Sequence, residues 1–73
     1  AAAEKKRRDA LKAWRKAQGE ELKIDPSLVW PMASLERLAW EPGEVREESN
    51  AHEVRRWQAA EFGASLLKAA AEL

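Results

Sequence analysis

From Asn50 to Leu73 the chain runs without a proline, and this stretch constrains the fold more than any other. Asn50 suits a helix N-cap, and Glu53, three residues on, suits the reciprocal position of a capping box. The sequence therefore predicts one long helix from Asn50 to the end. At about 100° per residue two apolar stripes run along it. One holds Trp57, Ala60, Ala64, Leu67 and Ala71, and the other holds Phe62, Leu66, Ala69 and Leu73. A helix with two stripes needs neighbours on more than one side. Gly63 lies between them; because glycine costs about 1 kcal/mol against alanine in a helix interior, a close backbone approach is expected there.

The remaining residues must supply those neighbours. A first helix is predicted from Ala1 to Leu22 or Lys23, with Leu11, Trp14 and Leu22 on the packing face and Ala10 and Ala17 beside it. Gly19 marks an early end or a bend of that helix. Asp25-Pro26 has the form of an N-cap followed by a first helical proline, and the short run to Trp30 is long enough only for a 3₁₀ turn. Pro31 restricts Trp30 to extended geometry and opens a helix from Met32 to Trp40, whose Leu35, Leu38 and Ala39 point inward. Pro42-Gly43 ends it. Val45 is the one large apolar residue of the acidic segment that follows, which predicts a short, weak helix. Trp14 and Trp57 fall on apolar stripes and are expected in the core. Trp30 and Trp40 stand at helix ends, where a tryptophan can be partly exposed but more often lids the core.

Composition narrows the fold class. Alanine, leucine, glutamate, lysine and arginine dominate while isoleucine, valine and threonine are scarce, which favours helix over strand and predicts an all-α domain. A single domain of 73 residues buries only about 60% of its unfolded surface, so its core must be efficient. With no cysteine, neither disulfides nor thiolate metal sites reinforce it, and this usage fits a reducing, cytoplasmic setting. No apolar run approaches the roughly 20 residues of a membrane span and no signal-peptide pattern is present, so no membrane partner is expected.

Formal charge is zero, yet it is unevenly placed. Lysine and arginine exceed acidic residues in the first 23 positions, and the reverse holds afterwards. Lys5, Arg8, Lys12, Arg15, Lys16 and Lys23 step by three, four and seven residues and form a positive ridge on the first helix, from which Lys6 and Arg7 fall away. Such a ridge can bind phosphates by counterion release without reading sequence. A solvated helix face is the commoner role for such charges, and Glu20 and Glu21 temper these; composition leaves both open. An exposed Trp30 could stack on an unpaired base. Glu41, Glu44, Glu47, Glu48 and Glu53 form an opposing acidic cluster that could dock on a basic partner. His52 is the only histidine and no serine sits in a nucleophile-elbow motif, so no catalytic, cofactor-binding or metal-ligating residue is expected.

Four groups of residues, in order, resemble the HRDC domain of RecQ-type DNA helicases and ribonuclease D. They are Leu11-x-x-Trp14-Arg15 with Ala17; Ile24-Asp25-Pro26-Ser27-Leu28-Val29-Trp30-Pro31-x-x-x-Leu35; Leu38-Ala39-x-x-Pro42; and Trp57-Gln58-x-x-x-Phe62-Gly63-x-x-Leu66-Leu67. The resemblance implies a compact bundle of about five short helices from the C-terminal part of a larger protein. It also implies a non-catalytic accessory role: modulating how an ATP-dependent helicase engages single-stranded or structured DNA. Family contacts come from basic residues of the first helix and from the turn that here spans Asp25 to Pro31, which adds weight to Lys12, Arg15, Lys16 and Trp30. Two positions depart from the family pattern. Ser27 replaces an aromatic residue after the proline, and Gln58 replaces a basic one, so weak DNA binding is expected. The alternatives are an RNA-binding domain of ribonuclease D, or an interaction module whose basic and acidic patches dock on other domains or on a protein partner.

Overall fold

The computed structural model describes residues 2–73. Among the described residues all regular structure is helical: α1 (Ala2–Leu22), a 3₁₀ turn (Pro26–Leu28), α2 (Met32–Trp40), α3 (Val45–Ser49) and α4 (Arg56–Ala71). The all-α expectation holds, with four α-helices and one 3₁₀ turn packed into a body of 31 × 23 × 19 Å. Among the described residues no helix is long and apolar enough to cross a membrane.

Trp30 is the centre of the core. It is fully buried with Leu11, Val29, Leu35, Leu38, Phe62 and Leu66, so of the two roles open to it at a helix end the core role holds and the base-stacking role is corrected. The reason lies in the turn before it. Asp25 caps the 3₁₀ turn by accepting from the Ser27 amide at 2.8 Å, and the turn folds back along α1, carrying Val29 and Trp30 inward. The indole N–H of Trp30 donates to Ser34 Oγ at 2.9 Å, so its polar edge is satisfied inside. Trp14 meets both Trp30 and Phe62 edge-on, at 6.4 and 6.3 Å, and donates to Ser65 Oγ at 2.9 Å. That contact joins α1 to α4.

The last helix begins later than its caps predict. Asn50 closes α3, its side chain donating to Arg46 O at 3.0 Å, and a turn from Ala51 to Val54 precedes α4. The turn buries Val54, and Glu53 pairs with Arg37 instead of capping a helix. His52 is accordingly exposed in this connection, not in a first helical turn. Gln58 takes over the capping role. Its Oε1 accepts from the Arg55 amide at 2.9 Å and its Nε2 donates to Leu28 O at 3.0 Å, fixing the start of α4 to the 3₁₀ turn.

Of the two α4 stripes, the one through Phe62 and Leu66 is covered, continued by Ala70 in place of the expected Leu73, which is exposed. Phe62, Leu66 and Ala70 are buried, whereas Trp57 remains 47% exposed and Leu67 48% exposed. The Trp57 expectation is thereby corrected: its ring rests edge-on against Phe62 at 6.3 Å, at the margin of a core that Trp30 fills. Leu22 is also exposed, because the chain turns away there and Ile24 packs on the core in its place.

The close backbone approach belongs to a different glycine from the one expected. A methyl group at Gly63 would meet nothing nearer than Ser49 Oγ, at 3.9 Å. At Gly19 it would lie 2.9 Å from Ile24 O and 3.2 Å from Pro26 Cα. Gly19 does not end α1, which continues to Leu22; it lets the chain double back after it. Lys23 takes a left-handed φ of 58°, Ile24 N–H bonds Gly19 O at 2.9 Å, and Lys23 N–H bonds Glu20 O at 3.3 Å, the paired hydrogen bonds of a Schellman turn. Gly19→Ala is therefore expected to destabilise the domain by about 1–3 kcal/mol, although alanine is the better helix former. Urea unfolding checks this against Gly63→Ala, which is expected to be neutral or slightly stabilising. A stabilised Gly19→Ala protein would refute the close contact.

Candidate nucleic-acid interface

The basic face of α1 is built by spacing and then thinned by packing. Lys5, Lys12 and Lys16 fall within about 40° of one line along the helix, and the row spans about 16 Å at 1.5 Å rise per residue. All three are exposed, and among the described residues none forms an ion pair. Exposed Asp9 and Glu20 border them at spacings of three and four residues, which moderates the potential of the row. Lys23 is exposed too, but sits on the left-handed residue beyond the helix end.

The two arginines of the ridge have structural partners. Arg8 is half-buried and lies 3.6 Å from the carboxylate of Glu4, which is itself buried. Arg15 donates from Nε to Pro26 O at 2.8 Å and from Nη1 to Met32 Sδ at 3.4 Å, so it ties the 3₁₀ turn and the start of α2 to α1. Arg7, off the ridge, donates to Ala39 O near the end of α2. Trp30 cannot stack on a base while the fold is intact, because none of its surface is accessible. The candidate phosphate face is thus a row of lysines to which Trp30 adds no stacking surface.

The Asp25–Pro31 turn is internally closed. Ser27 donates both its amide, at 2.8 Å, and its hydroxyl, at 2.7 Å, to one oxygen of Asp25. These hydrogen bonds hold the Asp25 carboxyl below the usual carboxylate range. A fixed carboxylate at the head of this turn disfavours an approaching phosphate.

The acidic cluster divides into two parts. Arg37 gathers Glu48 and Glu53, binding Glu48 with Nη2 at 2.8 Å and Nε at 3.0 Å. Ser34 Oγ adds a hydrogen bond to Glu48 at 2.7 Å, extending the network inward to Trp30. The Glu48 carboxyl is held below its ordinary range, first by the hydrogen bonds from Arg37, and the Arg37 guanidinium is correspondingly raised. Glu41, Glu44 and Glu47 remain exposed, and contact with Glu47 pushes the Glu44 carboxyl above its ordinary range. Glu48 and Glu53 thus fasten α2 to α3 and the turn after it, and three carboxylates stay free for a partner.

Two surface features lie outside the basic ridge and the acidic cluster. A shallow groove of about 390 Å³ runs between the start of α1 and the end of α4, lined by Ala3, Lys6, Arg7, Ala10, Glu72 and Leu73. The second is the uncovered Trp57 stripe of α4, whose spacing was legible but whose exposure was not. Comparison with known proteins brings no match: no protein-family model fits the chain, and neither a curated protein nor a solved structure is significantly similar to it.

Proposed function

We propose that this chain is a non-catalytic nucleic-acid-binding module of the HRDC type, accessory to a RecQ-like DNA helicase, that grips phosphate backbones along the lysine row of α1. The observation that carries this reading is the alignment of Lys5, Lys12 and Lys16, exposed and without ion pairs among the described residues. The family assignment rests on the four ordered groups of motif residues; the helical order of the fold is in keeping with it. Lysines act as flexible point charges, so the contact neutralises phosphates without selecting bases. Because Trp30 is enclosed, the stacking that holds unpaired bases elsewhere, worth about 1–3 kcal/mol per base, is not supplied by that residue. The grip is weak, dependent on salt and indifferent to sequence.

Fluorescence anisotropy with duplex and partial-duplex DNA at several salt concentrations tests this directly. Contacts from Lys5, Lys12, Lys16 and Lys23 predict a slope of log K against log salt of about −3 to −4 on duplex. Lys12→Glu with Lys16→Glu is expected to lower affinity at least about tenfold and to reduce the slope by about 2, with an unchanged melting curve. Unaltered affinity in that variant would remove the phosphate role. Exposed Glu41, Glu44 and Glu47 favour one second reading, an interdomain or protein contact to a basic surface. Absence of DNA binding at low salt would move the assignment to it.

A further inference from the structure

We propose that Trp57 and the two arginines before it form a second nucleic-acid contact, specific for single strands, in which Trp57 stacks on an unpaired base and Arg55 and Arg56 take the adjoining phosphates. The proposal rests on the nucleic-acid reading and adds a ligand class to it: the lysine row of α1 grips any phosphate backbone, whereas this site requires a base free of its pairing partner. Trp40 and Trp57 are the exposed tryptophans, at 59% and 47%. Their surroundings differ in sign. Trp40 has exposed Glu36 one turn before it and exposed Glu41 and Glu44 after it, while Arg37 is occupied by Glu48 and Glu53. Those carboxylates repel a phosphate backbone. Trp57 directly follows Arg55 and Arg56, which are exposed and form no ion pair among the described residues. Glu53, the acid that precedes them, is held by Arg37, and the first turn of α4 contains no acidic residue. Exposed Glu61 stands one turn beyond Trp57, so the phosphates fall on the arginine side of the ring.

The two arginines do not serve the helix. They occupy the N-cap and the first position of α4, where a cap prefers serine, threonine, aspartate or asparagine and the helix dipole favours negative charge. A local rule broken with no compensation inside the chain points to a partner outside it. The open ring beside these cations makes that partner a nucleotide. The ring is also set in advance. Phe62 meets it at 6.3 Å with the planes inclined by 63°, which fixes its orientation while nearly half of its surface faces solvent. Gln58, the next residue, accepts from the Arg55 amide at 2.9 Å and donates to Leu28 O at 3.0 Å, so the turn that carries all three side chains is fastened to the rest of the domain. A ring already held in place loses little freedom on stacking, and because every base has a π face the site accepts any sequence.

Fluorescence anisotropy of the whole chain at low salt tests this with three labelled probes of equal length: an oligothymidylate of about ten nucleotides, an abasic strand and a duplex. The wild-type chain is expected to bind oligothymidylate about tenfold more tightly than the abasic strand, the effect of one stacked base. Trp57→Leu keeps apolar cover over Phe62 and removes the aromatic face; it is expected to erase that preference and to leave duplex binding unchanged, with a circular dichroism melt reporting that the fold persists. Arg55→Gln combined with Arg56→Gln is expected to reduce the salt slope on oligothymidylate by about 1.4. Equal binding of oligothymidylate and the abasic strand, or a preference that survives Trp57→Leu, overturns the proposal. An unchanged slope in the arginine variant overturns it as well, and that arm does not depend on Trp57→Leu remaining folded. A preference for oligothymidylate that Trp57→Leu erases, in a chain that fails to bind duplex, overturns the lysine row and upholds this site.

Discussion

Trp30→Ala is expected to cost about 3–5 kcal/mol, the range for removing a buried aromatic side chain. A domain of 73 residues has a total stability of about 4–11 kcal/mol, so this one change takes much or all of it. Three losses combine. The side chain is wholly enclosed, its ring is the edge-on neighbour of Trp14, and its N–H reaches Ser34. Trp57→Ala is expected to cost only about 1–2 kcal/mol, because nearly half of that residue already faces water. Paired urea titrations followed by far-ultraviolet circular dichroism measure both. If Trp57→Ala proved the more damaging, the two tryptophans would have exchanged roles and α4 would be rotated about its axis. Trp30→Phe separates bulk from hydrogen bonding: it keeps most of the ring and removes only the donor to Ser34.

The same pair of tryptophans explains where the sequence was readable. Helix periodicity ranks Trp57 as core because it shares a stripe with Leu67, and it leaves Trp30 undecided because that residue stands at a helix end and on no stripe. Periodicity identifies apolar stripes; it does not say which stripe finds a neighbour. The all-α class, the Asp25 cap and the inward Leu35, Leu38 and Ala39 were legible because each follows from spacing within a few residues. The Asn50–Glu53 signature was equally local, and it lost to two distant demands, burial of Val54 and pairing of Glu53 with Arg37. Gly19 and Gly63 show the same division: whether a glycine is required depends on Ile24 and Pro26 returning to it, which only the folded chain reveals. The basic ridge was legible as a line of charge. Its division into free lysines and engaged arginines was not, because Arg15 bonds a carbonyl of the next turn and Arg8 a buried glutamate.

Acid is expected to loosen the domain through Glu48, and the sign follows from its partners. Arg37 and Ser34 bond the ionised carboxylate, so its folded-state pKa lies below the ordinary value. A depressed carboxyl stabilises the fold fully above its unfolded pKa, about 4.3, and loses that contribution as pH falls through the folded value. Asp25 contributes with the same sign. Glu44 acts in the opposite sense: its contact with Glu47 raises its pKa, so acid relieves strain there. The wild-type profile alone therefore mixes opposing contributions, and the informative quantity is its difference from Glu48→Gln. At pH 7 that variant is expected to be about 1–2 kcal/mol less stable, a modest loss because the Arg37 side chain is about half exposed and solvent screens the pair. The difference is expected to shrink as pH falls below about 4.3, where the unfolded chain takes up a proton first, and to vanish once the folded carboxyl is protonated too and resembles the neutral amide. Urea unfolding at pH values from 7 down to 3 measures it. A difference that stays constant across that range would mean that Glu48 acts through packing, and that Arg37 does not hold its charge.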